Sequence, residues 1–268
     1  MKLGVLLCDD VRPELQIRHH NYPEMFAAIL LKADPELELF YYRVMAGHYP
    51  DTIDECDGYI STGSKYSVYD NDEWIKNFER FVRKLFQHNK PFVGVCFGHQ
   101  MIAQALSGSV MKSPNGWGIG INTWQLLAHE SWMVRSSINT DDSINKKPSI
   151  VPHSSLSPYV SKTNNLERFS LAVSHQDQVV SLPANTTVLA GSAFCPNAMI
   201  KVGDHFLGIQ GHPEFTREYS HDLMEIRQGD IPANAIEVGM ASLEQPLDSD
   251  EVTRWMLNFI KVNLPCSD

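Results

Sequence analysis

Pro91-Phe92-Val93-Gly94-Val95-Cys96-Phe97-Gly98-His99-Gln100-Met101-Ile102 is the stretch that decides how this chain folds. Its first five residues make a short apolar run suited to a buried strand. Met101, Ile102, Ala105 and Leu106 then give one apolar face to a helix over Gly98 to Leu106. Between strand and helix stands Cys96, with a glycine two residues away on either side. A side chain at the apex of so tight a turn needs an uncommon backbone conformation, and neighbours without side chains relieve the crowding. The helix that starts there offers unpaired N–H groups and a positive dipole end to the sulfur, an arrangement that suits an anionic nucleophile. The Phe97 N–H is then directed at the place of a substrate carbonyl. This is the cysteine counterpart of the serine nucleophile elbow. Cys8, Cys56, Cys195 and Cys266 need no more than the ordinary reading of a free cysteine as a small buried hydrophobe.

Upstream of the turn the chain alternates between strand and helix patterns. Leu3 to Leu7 reads as a buried strand, and Met25, Phe26, Ile29 and Leu30 mark a helix. Leu37 to Val44 and Gly58 to Ser61 are further strands, and Trp74, Phe78, Phe81, Val82 and Leu85 recur at helical spacing. Alternation of this kind predicts an α/β fold with a parallel sheet and right-handed crossovers. Beyond Leu106 the pattern mixes. Ile119 to Leu127 is strand-like, short apolar runs surround Val179, Val188 and Ile200, and Phe206 to Gln210 is a late buried strand. Antiparallel strands and an exposed excursion, rich in Ser, Asn and Lys over 136–157, are expected here. Helices around Tyr219 to Arg227 and Glu251 to Val262 close the chain.

The 268 residues suffice for one sizeable core, and 43% hydrophobic with 20% charged content is ordinary for a globular protein. A formal charge of −10 argues against a nucleic-acid surface and favours a small polar ligand. No leader or membrane-spanning stretch is expected, since the first apolar run is cut short by Asp9 and Asp10. Five scattered cysteines without a CxxC pair signal neither a disulfide framework nor zinc, which suggests a reducing, cytoplasmic setting. The adjacent His19 and His20 do not form a metal site and are read as surface residues. No metal or organic cofactor is expected.

The stretch Gly94 to Gln100 resembles the nucleophile motif of the class I (triad) glutamine amidotransferases. The resemblance continues at Gly208-Ile209-Gln210-Gly211-His212-Pro213-Glu214-Phe215. Two separated motifs in the right order are far more specific than either alone, and they place residues 1–220 in an amidotransferase-like domain with 221–268 as a helical extension packed on it. Within the family the chain looks most like stand-alone members similar to the amidotransferase domain of GMP synthase, a group that includes the γ-glutamyl peptidases. The resemblance implies a flavodoxin-like α/β sandwich with an added antiparallel portion. It implies catalytic roles for Cys96 as nucleophile, His212 as general base and Glu214 as the group that orients the imidazole. Thr62-Gly63-Ser64 aligns with the oxyanion loop, so backbone N–H groups of Ser64 and Gly63 would join that of Phe97. Ser64 departs from the family's usual Gly-Gly pair, which puts substrate clearance beside it in question. Gln100 matches the substrate-binding glutamine, and Trp117-Gly118-Ile119 resembles the stretch whose backbone holds the α-amino and α-carboxylate groups. His175-Gln176-Asp177-Gln178-Val179 matches a segment expected beside the cleft.

The function so implied is cysteine-dependent hydrolysis of the γ-glutamyl amide of glutamine through a γ-glutamyl thioester. Ammonia would pass to a separate synthase subunit, because the Ser-Gly-Gly nucleotide loop of GMP synthase is absent from this chain. A γ-glutamyl peptidase, releasing an amine, is the alternative within the same chemistry. A non-catalytic ligand-binding or regulatory protein on the same fold is the alternative of another class, and retention of all three triad residues counts against it. Residues 220–268, with Val252, Trp255, Met256, Phe259 and Ile260 at helical spacing, are expected either to extend the core or to cover the cleft or a subunit contact. Oligomeric state is open.

Overall fold

Three four-residue runs, Gly58–Ser61, Phe92–Val95 and Phe206–Ile209, are buried at every position. Strands covered on both faces read in this way, as continuous apolar runs rather than alternating ones. The computed structural model describes residues 1–134 and 167–264, and its elements are organised around these three strands. In chain order they are β1 (Lys2–Leu6), α1 (Pro13–His19), α2 (Tyr22–Ala33), β2 (Glu38–Tyr42), β3 (Gly58–Ser61), α3 (Glu73–Gln87), β4 (Phe92–Val95), α4 (Phe97–Ala105) and β5 (Ser109–Lys112). There follow β6 (Gly118–Leu126), β7 (Arg168–His175), β8 (Asp177–Ser181), β9 (Thr186–Gly191), β10 (Met199–Val202), β11 (Phe206–Ile209), α5 (Arg217–Ile226), α6 (Ala233–Ser242) and α7 (Ser249–Val262).

The main sheet has the order β2-β1-β3-β4-β11-β10-β9-β6-β7, and β5 pairs with β8 in a small separate sheet. The first five strands are parallel throughout. They carry the strand order of a flavodoxin-like fold, in which ligands bind beyond the carboxyl ends of the strands at the switch point. From β11 to β7 every pairing is antiparallel, which is the added portion expected from sequence. Alternate residues of the central strands feed two cores on opposite faces. Leu3, Val5, Val93, Val95, Leu207 and Ile209 pack with α2 and α7 on one face. Leu6, Tyr59, Phe92 and Phe206 pack with α3 and α4 on the other.

Helix α3 follows its sequence pattern, burying Ile75, Phe78, Val82 and Leu85 along one stripe. Helix α2 begins at a capping box in which Asn21 and Glu24 satisfy each other's backbone donors, with Pro23 in the first turn. Two helices escape the sequence pattern. In α1 only Leu15 is buried and Ile17 is 91% exposed, so no apolar face marks it. In α6 only Ile236 and Gly239 are buried, and Gly239 is in the helix because Met224 and Ile119 press against its bare backbone. In helix α7, Val252, Trp255, Met256, Phe259 and Ile260 are buried in the core beside α2. The expected excursion at 136–157 and Cys266 lie outside the described residues. One surface reading needs correction: the His19 side chain is largely covered, with its ring edge-on to Tyr219 and its Nε2 2.8 Å from Asp222.

What positions the nucleophile turn is a bed of small residues. Across three adjacent strands Ser61, Gly94 and Gly208 stand in register, and the first turn of α4 lies directly on them. A Cβ on Gly94 would fall 2.3 Å from the Gly98 carbonyl carbon, one on Gly98 1.8 Å from Ser61 Oγ, and one on Gly208 2.5 Å from His99 Nδ1. Substituting Gly98→Ala is therefore expected to destabilise the protein by about 1–3 kcal/mol in chemical denaturation. Gly229→Ala, where nothing lies within 4 Å, should change it by no more than about 0.5 kcal/mol. Equal effects for the two would show that α4 can lift from the sheet at no cost.

Candidate active site

Cys96 closes β4 and caps α4 with φ 49° and ψ −96°, a left-handed conformation that a side chain rarely accepts. The bed of small residues described above holds it there. The residue is 5% exposed and lines a cleft of ≈ 570 Å³ at the carboxyl ends of the parallel strands. The neighbouring strand β11 runs in parallel register, Gly94 opposite Gly208 and Val95 opposite Ile209. The chain beyond it carries Gln210, His212 and Glu214, and His212 is fixed by a backbone bond to the Ala172 carbonyl of β7, 2.8 Å.

The Cys96 thiol adjoins His212, near enough to raise its pKa, and the His212 Nδ1 lies 2.8 Å from Glu214 Oε1 on the other side. Phe215 stacks on the imidazole face, ring centroids 3.9 Å apart and planes within 6°, and Tyr219 packs edge-on against Phe215. The ring is thus clamped in plane and at both ends. Burial by itself drives the imidazole toward its neutral form. The negative charges of Glu214 and Cys96 and the hydrogen bonds to both outweigh that, and carry the His212 pKa up to about 10. The arrangement favours a protonated imidazole.

Gly63 meets this pair with its backbone. A Cβ there would stand 2.7 Å from His212 Cε1 and 3.6 Å from Cys96 Cβ, so only glycine leaves the imidazole room. The loop is anchored from behind by Thr62, whose hydroxyl accepts the Cys8 N–H at 2.9 Å. It is anchored from ahead by Asp9, a buried carboxylate that accepts both the backbone N–H and the Nζ of Lys65, each at 2.9 Å. Ser64 lines the cleft, and its Oγ accepts the Tyr66 N–H at 3.3 Å. The Ser64 side chain is thus engaged within its own loop. Phe97, whose N–H opens α4, has its ring stacked with those of Trp74 and Phe78.

Gln100 and Trp117 line the cleft, whereas Gly118 and Ile119 do not contribute to its wall. Gly118 is wedged between Phe194 and His175, and Ile119 is packed with Met224, Ile231 and Ile236. Gln100 Nε2 donates to the Asp177 carbonyl, 2.9 Å, and to Gln210 Oε1, 3.1 Å, and Gln210 Nε2 lies 3.5 Å from Cys96 Sγ. Sequence reading passed over Gln210. Its position two residues before His212 at a strand end, hence on the same side of the chain, is the signal that points to it. The Asp177 carboxylate takes hydrogen bonds from Ser67 Oγ, 2.5 Å, and Tyr69 OH, 2.9 Å, tying the loop after β3 to the antiparallel half. Arg227, also on the cleft wall, was not singled out from sequence either. Among the described residues no group of three or more His, Cys, Asp or Glu is placed to hold a metal, and no helix is long and apolar enough to cross a membrane.

The glutamine amidotransferase class-I family model matches residues 42–226. γ-Glutamyl peptidase 3 of Arabidopsis thaliana is 29% identical over 207 residues, covering 76% of this chain and 73% of that one. A glutamine-hydrolysing GMP synthase of Aeromonas salmonicida is 28% identical over 178 residues, covering 63% of this chain but 30% of the synthase. A glutamine amidotransferase of Thermotoga maritima, solved by crystallography, shares the fold with a TM-score of 0.66 at 15% identity, covering 97% of this chain and 96% of its own.

Two further histidines near the cleft carry a stability consequence. Burial drives the His99 pKa down to about 3, helped by His175, and drives that of His175 down to about 4. In the unfolded chain each titrates near 6.5, so below that pH the unfolded state gains protons that the folded state refuses. Stability from these groups is complete above pH about 6.5 and is lost as pH falls toward 4, by about 3 kcal/mol for His175 alone. Thermal melting between pH 7 and 4 should therefore fall less steeply in His175→Gln than in the unaltered protein. Parallel slopes would remove His175 from this account.

Proposed function

Because the chain belongs to the class I glutamine amidotransferase family, we propose that it is a cysteine-dependent hydrolase of γ-glutamyl peptides, with Cys96 as nucleophile. The observation that carries this is the meeting of Cys96, at its strained turn, with a His212 whose other nitrogen is held by a buried Glu214. The sulfur attacks the γ-carbonyl, and the carbonyl oxygen becomes an oxyanion facing the backbone N–H groups of Phe97, Gly63 and Ser64. Donors fixed in this way are worth about 3 kcal/mol each. Collapse breaks the C–N bond, and His212 gives its proton to the departing amine. Water, deprotonated by His212, then cleaves the γ-glutamyl thioester and releases glutamate, which restores the thiolate–imidazolium pair. Glu214 holds the imidazole in orientation and favours its charged form, and no step requires a metal or organic cofactor.

An amine rather than ammonia is the preferred leaving group because the likeness to γ-glutamyl peptidase 3 runs along about three quarters of both chains. The likeness to GMP synthase covers only 30% of that enzyme. That second likeness supports glutamine as the other reading, with ammonia passing to a synthase subunit. The division at residue 220 belongs to the same proposal. It is supported by the end of the family match at 226, with α6 and α7 as an extension of one folding unit.

Release of glutamate from γ-glutamyl dipeptides and from glutamine, followed in parallel, tests the reading. Turnover of the peptides should exceed that of glutamine and should vanish in Cys96→Ala. Glu214→Gln should lower kcat by about 10²- to 10⁴-fold. In the unaltered protein kcat/KM should decline on the alkaline side near pH 10, where His212 loses the proton destined for the leaving amine, and that limb should move to lower pH in Glu214→Gln. Absence of turnover with every γ-glutamyl substrate would overturn the proposal.

A further inference from the structure

Gln210 follows β11 with none of its surface exposed, and its side-chain amide belongs to a line of hydrogen bonds that starts in β8 and ends on the nucleophile. The line starts at the Asp177 carbonyl, which accepts the His175 Nδ1–H at 3.0 Å and the Gln100 Nε2 at 2.9 Å. Gln100 Nε2 also donates to Gln210 Oε1 at 3.1 Å, and Gln210 Nε2 donates to Cys96 Sγ at 3.5 Å. Main-chain bonds hold the participants in place. The Gln100 N–H bonds to the Cys96 carbonyl at 3.0 Å, the Cys96 N–H to the Ile209 carbonyl at 2.8 Å and the Gln210 N–H to the Ala198 carbonyl at 2.8 Å.

The direction of this line is not free. A backbone carbonyl can only accept, whereas a side-chain amide has two donors on its nitrogen and an acceptor on its oxygen. Facing the Asp177 carbonyl, Gln100 must present its nitrogen. The second hydrogen on that nitrogen needs an acceptor, so Gln210 turns its oxygen to Gln100 and is left with its nitrogen toward the sulfur. Reversing Gln100 would set oxygen against oxygen, and reversing Gln210 would set N–H against N–H, both among buried residues where such a mismatch is costly. One backbone carbonyl thus decides that Cys96 meets a donor rather than an acceptor. A donor of this kind favours sulfur in its anionic form, the form that acts as nucleophile. The thiol's own proton finds no acceptor in Gln210, whose oxygen is already engaged, and His212 adjoins the sulfur to take it.

We propose that Gln210 is a further catalytic residue of the acyl-transfer site, its amide N–H donating to the Cys96 sulfur whenever that atom carries negative charge, with Gln100 as the positioning residue that sets the direction of the amide. The inference rests on the hydrolase reading given above and deepens it. As the S–C bond forms, the charge on sulfur passes to the carbonyl oxygen. As the thioester is hydrolysed the S–C bond breaks, its electron pair returns to the sulfur, and the Gln210 N–H is in place to receive it. Gln210 neither gains nor loses a proton in either step. Gln100 acts through Gln210 and not by gripping the substrate.

Alkylation of the full-length protein by iodoacetamide over pH about 5 to 10, followed at the Cys96 peptide by mass spectrometry, reads the donor without any γ-glutamyl substrate. In Gln210→Met the midpoint of the pH profile should rise by about 1–2 units, and kcat for γ-glutamyl peptides should fall about 10- to 100-fold with KM little changed. Gln100→Met, which frees the Gln210 amide to turn, should move both readings the same way by less. Gln100→Met/Gln210→Met should lose no more than Gln210→Met alone, because Gln100 then has nothing to direct. Gln210→Leu should repeat the result if thermal melting shows that Gln210→Met does not fold, and if neither folds the shift in Gln100→Met decides. An alkylation profile unmoved by these substitutions, or losses that add in the double variant, would overturn the assignment. A shifted profile without turnover of any γ-glutamyl substrate keeps the donor and removes the hydrolase. Turnover by the unaltered protein with an unshifted profile in Gln210→Met does the reverse.

Discussion

The first turn of α4 rests on the sheet at a separation that no side chain could occupy, and the remaining geometry of the site depends on that contact. Ser61, Gly94 and Gly208 form a level row across β3, β4 and β11, and Gly98 meets the row from above. With the helix so close, the residue joining strand to helix has too short a path for ordinary backbone angles, and Cys96 is held at φ 49°. The strain is local, while its support is spread over three strands and the apolar layers on both faces. Such a residue persists only where its surroundings over-determine it. In return its thiol stands at the mouth of the cleft at the foot of a helix, where backbone donors converge.

Electrostatics complete what packing begins. A carboxylate, an imidazole and a thiol, all nearly free of solvent, would each be costly to bury in the charged form if alone. Set in a row, they offset one another. His212 pairs with Glu214 and Cys96, and the balance lies on the side of the imidazolium despite its burial. Phe215 and Tyr219 add a hydrophobic clamp that fixes the ring without competing for its nitrogens. Asp9 performs a similar service for the loop at Gly63 by holding Lys65 through both main chain and side chain.

Much of this was legible in the sequence because it is encoded locally. The apolar run and glycines around Cys96, and separately the His-x-Glu pair at 212–214, are each contained within a few consecutive residues, and parallel strands betray themselves by unbroken apolar runs. The parts that escaped are those whose reason lies far along the chain. Helix α1 buries only Leu15 and so has no face to read. Helix α6 carries a glycine explained by Met224 of α5 and by Ile119, more than a hundred residues earlier. Trp117 reaches the cleft, whereas Gly118 and Ile119, which open β6, pack against Phe194 and His175 and against Met224, Ile231 and Ile236, partners that lie far along the chain. Arg227, the C-cap of α5, meets Trp117 just before β6 and Ser174 of β7, and no local pattern announces that meeting.

The parallel pairing of β4 with β11 has one more implication. Because Val95 stands opposite Ile209, the sulfur and the imidazole are measured off along neighbouring strands from a shared ladder of main-chain bonds. The spacing between them is a property of the backbone, copied faithfully whatever side chains surround it. The opposite wall, by contrast, is assembled from β7, the start of β6 and α5, which reach the cleft by longer routes. The molecule thus separates a rigid gauge for the reaction from an adjustable jaw for the substrate. Sequence drift can reshape the jaw, and with it the choice of substrate, without disturbing the gauge.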